Sequence, residues 1–225
     1  MLDRRTRILG SGLFDPVSDA MRQVLRSIQD SPIPGPVLDL GTGTGFHLER
    51  TLEELPERLG LGLDNSKYAA RRAARCHPRA GAAVADIWAG IPLRDDLVAV
   101  LLDVFAPRNG PEIERVLAPG GMAIVVVAGP DHLSGVPAGL GMINVDPGKS
   151  ERLGAKLSGL DPVGEVGEIE WTMSLSPEEV GDLVGMGPGA GRVDPETFAA
   201  RISALPHRSE ILGQVEVRRY VAPDA

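Results

Sequence analysis

The chain has 225 residues, 43% apolar and 24% charged, with a formal net charge of −8, the composition of an ordinary globular domain. Apolar runs such as 97–102 are far too short to cross a bilayer. The single cysteine, Cys76, excludes an internal disulfide and any multi-cysteine zinc site within these residues.

The opening Met-Leu-Asp-Arg-Arg-Thr-Arg has charge without an apolar stretch behind it, so no signal peptide is expected and the cytoplasm is the expected location. Its arginines, Arg4, Arg5 and Arg7, read as a solvated turn. Phe14, Val17, Met21, Val24, Leu25 and Ile28 recur every three or four residues. That spacing predicts an amphipathic helix with Asp15 as N-cap and Pro16 in its first turn. Val37-Leu-Asp-Leu40 reads as a short buried strand running into Gly41-Thr-Gly-Thr-Gly45. A helix through Leu48, Leu52 and Leu55 ends at Pro56. A strand over 61–64 precedes a helix capped by Ser66 and reaching Arg75. Residues 82–85 form a weak strand and 97–104 a buried one. A short helix over 112–117, a turn at Pro119-Gly-Gly121 and a buried strand over 122–128 follow.

Residues 129–164 are rich in glycine and proline with little periodicity, and read as an insertion or lid. A strand over 168–175 leads into Ser176-Pro-Glu-Glu179, a capping-box pattern opening a helix. Asp194-Pro195 opens another. Alternation around Gln214, Glu216 and Arg218 predicts a closing strand. Strands alternating with helices imply parallel βαβ units and an open, doubly wound sheet. Ligands of such sheets sit at the carboxyl ends of the strands.

Three glycines at alternate positions after a buried strand let the backbone approach a ligand closely. The spacing Gly41-x-Gly43-x-Gly45 departs from the dinucleotide pattern Gly-x-Gly-x-x-Gly. Asp39 just before the first glycine would repel a pyrophosphate and suits a cationic amino-acid ligand, such as S-adenosylmethionine. Asp64 ends the second strand, where an acid can accept from both ribose hydroxyls. Asp86 follows the third strand, where it can accept from an adenine amino group, with Ile87 packing on the ring. Asp103 ends the fourth, on the edge facing a methyl acceptor. Thr42, Asn65 and Val104 adjoin these residues and complete the expected cofactor set.

These residues resemble a class I S-adenosylmethionine-dependent methyltransferase. The resemblance extends to the RlmA/TlrB type of ribosomal RNA guanine methyltransferase, through Gly12-Leu-Phe-Asp-Pro16, the glycine loop, Gly62-Leu-Asp-Asn-Ser-Lys67, Phe105-Ala-Pro107, Leu117-Ala-Pro-Gly-Gly121, Gly129-Pro-Asp-His-Leu133 and Leu183-Val-Gly-Met-Gly-Pro-Gly-Ala190. It implies a Rossmann-like, mostly parallel sheet with a final antiparallel strand. Residues 1–30 would form a helical cap, and 31–225 the catalytic domain with an acceptor insertion at about 129–165. The ribosomal enzymes also carry an N-terminal zinc ribbon for the RNA hairpin, which this chain has no cysteines to build. After Met186-Gly-Pro188 they have an aromatic residue where this chain has Gly191.

His132 is the best-placed base for an acceptor that must lose a proton. Phe105 and Pro107 can form a flat wall beside an aromatic acceptor. Trp171 can line the pocket, and Phe14 can close over the cofactor through the N-terminal helix. No metal is expected. Residues 81–225 carry 11 basic and 21 acidic residues, whereas RNA-binding enzymes neutralise phosphate with cations. The expected acceptor is therefore a small planar heteroaromatic, an indole or related alkaloid of specialised metabolism, with a 23S rRNA guanine as the alternative. No membrane partner is expected, and a homodimer stays open.

Overall fold

The computed structural model describes residues 1–142, 149–187, 189 and 191–224. In chain order its elements are α1 (Leu2–Gly10), α2 (Asp15–Ser27), β1 (Val37–Leu40), α3 (Phe46–Glu54), β2 (Gly60–Asp64), α4 (Lys67–Ala73), β3 (Ala80–Val84) and β4 (Val98–Val104). Then come α5 (Gly110–Val116), β5 (Leu117–Ala128), α6 (Lys149–Lys156), β6 (Asp161–Pro162), β7 (Gly167–Leu175), α7 (Pro177–Met186), α8 (Pro195–Ser203) and β8 (Ser209–Val221). Two compact units emerge. The first comprises 1–17, 128–147 and 168–215, and the second 18–127, 148–167 and 216–225.

The second unit is the doubly wound α/β body. Its strands run in the order β3-β2-β1-β4-β5, continued by the C-terminal part of β8 and by β6. Pairing is parallel from β3 through β5, with Leu38 opposite both Leu61 and Leu101. β6 and β8 pair antiparallel, with Asp161 opposite Val221. Both faces of the central strands are covered, so all four residues of β1 are buried, and β4 is buried up to Asp103. Such strands read as unbroken apolar runs rather than alternating ones. The core gathers Leu38, Leu63, Leu101, Ile113 and Val125 with Leu153 and Leu157 of α6 and its following turn. Truncating one of these leucines to alanine costs about 2–5 kcal/mol.

The predicted turn at Pro119-Gly-Gly121 lies inside β5. Between the pairs Val98–Leu117 and Val100–Met122 the register shifts, which accommodates the extra residues as a bulge, with Gly120 at φ +73°.

In the first unit α1 packs on α7, and α7 on α8. The residues read as a solvated turn are the helix α1. Arg7 grips Asp182 with two hydrogen bonds of 2.6 and 2.7 Å, and Arg4 lies 3.6 Å from the same carboxylate. Asp182 is buried, so an uncompensated charge there would be costly; the paired arginines compensate it. They hold its carboxyl below the ordinary range, the Arg7 hydrogen bond chiefly. The capping box of α7 forms in full, Ser176 accepting from the Glu179 N–H and Glu179 from the Ser176 N–H. Asp194 caps α8 through the Thr197 N–H. β7 pairs with β8. Among the described residues, no helix is long and apolar enough to cross a membrane.

Candidate active site

The glycine loop links β1 to α3 in the α/β unit. Gly41, Gly43 and Gly45 have φ of +62°, +57° and +84°, which only glycine adopts without strain. At Gly45 space forbids a side chain as well, because a Cβ would stand 2.8 Å from the Cys76 sulfur. Burial pushes the Cys76 thiol up to about 11. Asp39 is 3% exposed and accepts a 2.6 Å hydrogen bond from the Thr42 hydroxyl.

Asp64 ends β2 and is half-buried. One carboxylate oxygen accepts from the Gly43 N–H at 3.0 Å, the other from the Ser66 N–H at 2.8 Å. The acid therefore fixes the glycine loop and the start of α4 together. A carboxylate has about four acceptor positions, so two remain for a diol. Asn65 beside it is exposed. Asp86 is exposed and accepts from the Trp88 N–H at 3.0 Å, while the Ile87 side chain points into the core. The Ile87 carbonyl accepts from the Asn109 side chain at 2.8 Å, tying this loop to the one after β4.

At the end of β4, Val104 is half-buried and Phe105 takes φ +55°. A left-handed conformation in a bulky residue costs on the order of 1–2 kcal/mol. The Phe105 N–H donates to the Val126 carbonyl at 3.0 Å, and the residue is left 38% exposed. Pro107 is exposed too. Ala106 lies against Gly41, where a Cβ would stand 3.0 Å from the alanine's. Asp103 is fully buried, with one carboxylate oxygen 3.0 Å from the Arg108 Nε. Arg108 is itself 8% exposed, and its Nη2 has no hydrogen-bond partner among the described residues. Sequence reasoning missed Arg108 and Asn109, although both directly follow the Phe-Ala-Pro motif.

Asp39, Asp64 and Asp86 thus stand at the carboxyl ends of β1–β3 beside the glycine loop, Asp103 of β4 being buried in its pair with Arg108, and 37–45 contains no cation. Such a set fits a cationic ligand with a ribose diol, as S-adenosylmethionine is, and opposes a pyrophosphate.

The first unit brings Phe14, His132 and Trp171 together. Phe14 lies edge-on to Trp171 with centroids 5.6 Å apart, and His132 is 6.4 and 6.3 Å from the two rings. The Trp171 indole N–H donates to the Leu13 carbonyl at 2.8 Å. A Cβ at Gly213 would overlap the indole. Gln214, a residue the sequence did not single out, pins the turn carrying His132. Its carbonyl accepts from Gly129, its side-chain oxygen from Asp131, and its N–H donates to His132 Nδ1 at 3.1 Å. With Nδ1 accepting, the neutral imidazole carries its proton on Nε2. That tautomer leaves Nε2 as a donor, and Leu133 beside it takes φ +64°.

Gly191 has φ +90°, where an aromatic residue would be strained. Pro188 and Ala190 of the same motif, and 143–148 of the glycine- and proline-rich stretch, lie outside the described residues. No group of acids, histidines and cysteine able to hold a metal occurs among the described residues.

No family model matches the chain. It is similar to the 23S rRNA (guanine(748)-N(1))-methyltransferase of Streptomyces fradiae, 42% identical, with 94% of this chain and 75% of that protein covered. A Micromonospora griseorubida protein provisionally named 23S rRNA (guanine-N(1)-)-methyltransferase is also 42% identical, covering 98% of this chain and 79% of its own. Among solved structures, the YcgJ protein of Bacillus subtilis superposes with a TM-score of 0.60 at 13% identity, covering 91% of this chain and 98% of that one. A SAM-dependent methyltransferase of Aquifex aeolicus gives 0.50 at 17% identity, covering 64% and 81%. At these identities the structural likeness shows the fold.

Proposed function

The chain belongs to the family of 23S rRNA guanine-N1 methyltransferases and uses S-adenosylmethionine as its methyl donor, and from that premise we propose that it methylates N1 of a guanine in 23S ribosomal RNA. One observation carries the reading: 42% identity to the Streptomyces fradiae enzyme over 94% of the chain. The acidic balance of 81–225 favours a small heteroaromatic acceptor instead, but a net charge averaged over 145 residues is a weaker guide to substrate than near-full-length likeness.

S-adenosylmethionine supplies an activated methyl group for in-line displacement, which leaves the chain mainly the work of holding and aligning. Asp39 would meet the amino-acid end, Asp64 the ribose hydroxyls and Asp86 the adenine amino group. Thr42, held by Asp39, and the Gly43 N–H, held by Asp64, keep the glycine loop in shape. Guanine N1 carries a proton that must pass to solvent water before N1 can take the methyl, and while it is gone negative charge is spread onto O6. A donor at His132 Nε2 suits that oxygen, and Gln214 holds it there as a positioning residue. Phe14 and Trp171 offer aromatic surface to a planar base.

The test presents labelled S-adenosylmethionine with a 23S rRNA hairpin fragment and, separately, with indoles and other heteroaromatics. Label entering the RNA at catalytic enzyme concentration supports the reading. Label entering only a heteroaromatic replaces it with the small-molecule acceptor.

A further inference from the structure

An RNA acceptor calls for a basic footprint on the protein, and α4 bears on it directly. Between Asp64 and Asp86 the sequence contains five cations, Lys67, Arg71, Arg72, Arg75 and Arg79, and no acid. Within the chain's overall charge of −8, this is a local concentration that a count over long segments averages away.

The structure sorts these cations into two kinds. Arg79 is structural: its guanidinium donates to the carbonyls of Leu52, Leu55 and Arg58, closing the end of α3 and the turn after it. The other four lie along α4 and the turn that ends it. Ala69, Ala70 and Ala73 are buried, and Lys67, Tyr68, Arg71, Arg72 and Arg75 are all exposed. Positions 67, 71 and 75 fall at i, i+4 and i+8, and 68 and 72 at i and i+4, so they form two adjacent stripes on one helix face. Tyr68 is 62% exposed, with the Lys67 ammonium 5.2 Å from its ring.

Helix stability does not account for this pattern. Cations at i and i+4 repel by a few tenths of a kcal/mol per pair. The macrodipole favours Arg71 and Arg72 in the last turn and opposes Lys67 in the first. Among the described residues, Lys67, Arg71 and Arg75 have no ion-pair partner. A self-repelling, unneutralised cationic stripe with an exposed aromatic is complementary to a polyanion that also offers bases to stack on.

Resting on the rRNA reading above, we propose that the outer face of α4 is a docking surface for the phosphate backbone of the RNA substrate. It begins two residues beyond Asp64, at the Ser66 N-cap whose N–H that acid accepts. Seven helical residues span about 10 Å, enough for a short stretch of backbone. The contacts would be to phosphate, so they contribute affinity and register and leave the choice of base to the residues around the acceptor.

The test measures binding of a 23S rRNA hairpin fragment across a series of salt concentrations. It compares the wild-type chain, the triple variant Lys67→Ala/Arg71→Ala/Arg75→Ala, and Arg94→Ala as a matched loss of an exposed cation elsewhere. Circular dichroism and S-adenosylmethionine affinity monitor folding. The triple variant is expected to keep its cofactor affinity, to bind the hairpin at least about tenfold more weakly, and to lose about 2–3 from the slope of log K against log salt. Arg94→Ala should change neither RNA quantity beyond one charge's share. A wild-type chain that methylates the hairpin, with a folded triple variant showing the same affinity and slope, overturns this inference and leaves the acceptor reading standing. A wild-type chain that neither binds nor methylates the hairpin overturns both, and binding to anionic phospholipid vesicles alone would do the same.

Discussion

Replacing Asp64 tests the cofactor site at the residue that does most to organise it. Its two carboxylate oxygens each accept one backbone N–H, from Gly43 and from Ser66, leaving two acceptor positions for the ribose hydroxyls. Hydrogen bonds to a charged group contribute about 1.5–3 kcal/mol each. Because Asp64 is only half-buried, the lower end applies. Losing two ligand contacts then costs about 3 kcal/mol, or roughly 150-fold in Kd. Asp64→Asn should do nearly as badly as Asp64→Ala. One end of the amide would turn an NH2 toward a backbone N–H, setting donor against donor, and only one oxygen would remain. Isothermal titration with S-adenosylmethionine reads the affinity, and far-ultraviolet circular dichroism checks the fold. A folded Asp64→Ala variant that binds the cofactor within threefold of wild type would refute this role for the acid.

Other consequences follow from local geometry. If His132 acts as a donor through Nε2, His132→Gln should retain much of the methylation rate, whereas His132→Ala should lose about 100-fold. Equal loss in both, together with loss of an acidic limb in the pH–rate profile, would instead mark a base. Asp182 has its folded pKa depressed, so its contribution to stability is complete above about pH 4 and is lost as pH falls through the lower folded value. Asp182→Asn should therefore lower the melting temperature by about 2–4 °C at pH 7 and by less at pH 3, measured by thermal circular dichroism. Cys76, raised from 9.0 to about 11, should react with iodoacetamide at pH 8 about 100-fold more slowly than a free cysteine, because thiolate is the reactive form. Rapid alkylation of the native chain would contradict the half-buried placement beside Gly45.

Much of the α/β body was legible because its signals are local. The run 97–104 announces a strand buried on both faces, and the Ser176 and Asp194 caps mark helix starts through bonds made within three residues. The acids at the strand ends could be found because the parallel sheet brings successive carboxyl ends together. What escaped depends on distant partners. Arg4, Arg5 and Arg7 look like a solvated turn until Asp182, 175 residues from Arg7, turns α1 into a packed helix. The proton position on His132 depends on Gln214, 82 residues away. The bulge at Pro119-Gly-Gly121 looks like a turn because glycine and proline serve both. The α4 face was present in the sequence, but charge summed over residues 1–80, with 12 basic and 10 acidic residues, concealed it. Only the helix separates Arg71 and Arg75 on the surface from Arg79 bonding carbonyls.

The central claim, methyl transfer to N1 of a 23S rRNA guanine, is tested most directly by locating the methyl group. Unmodified 23S rRNA would be incubated with the chain and S-adenosylmethionine, then digested to nucleosides for mass spectrometry and, in parallel, copied by reverse transcriptase. A methyl on N1 removes the Watson–Crick donor of guanine, so the account predicts N1-methylguanosine in the digest and one new enzyme-dependent stop at a guanine. Unmodified RNA under conditions where a heteroaromatic small molecule is methylated would contradict it.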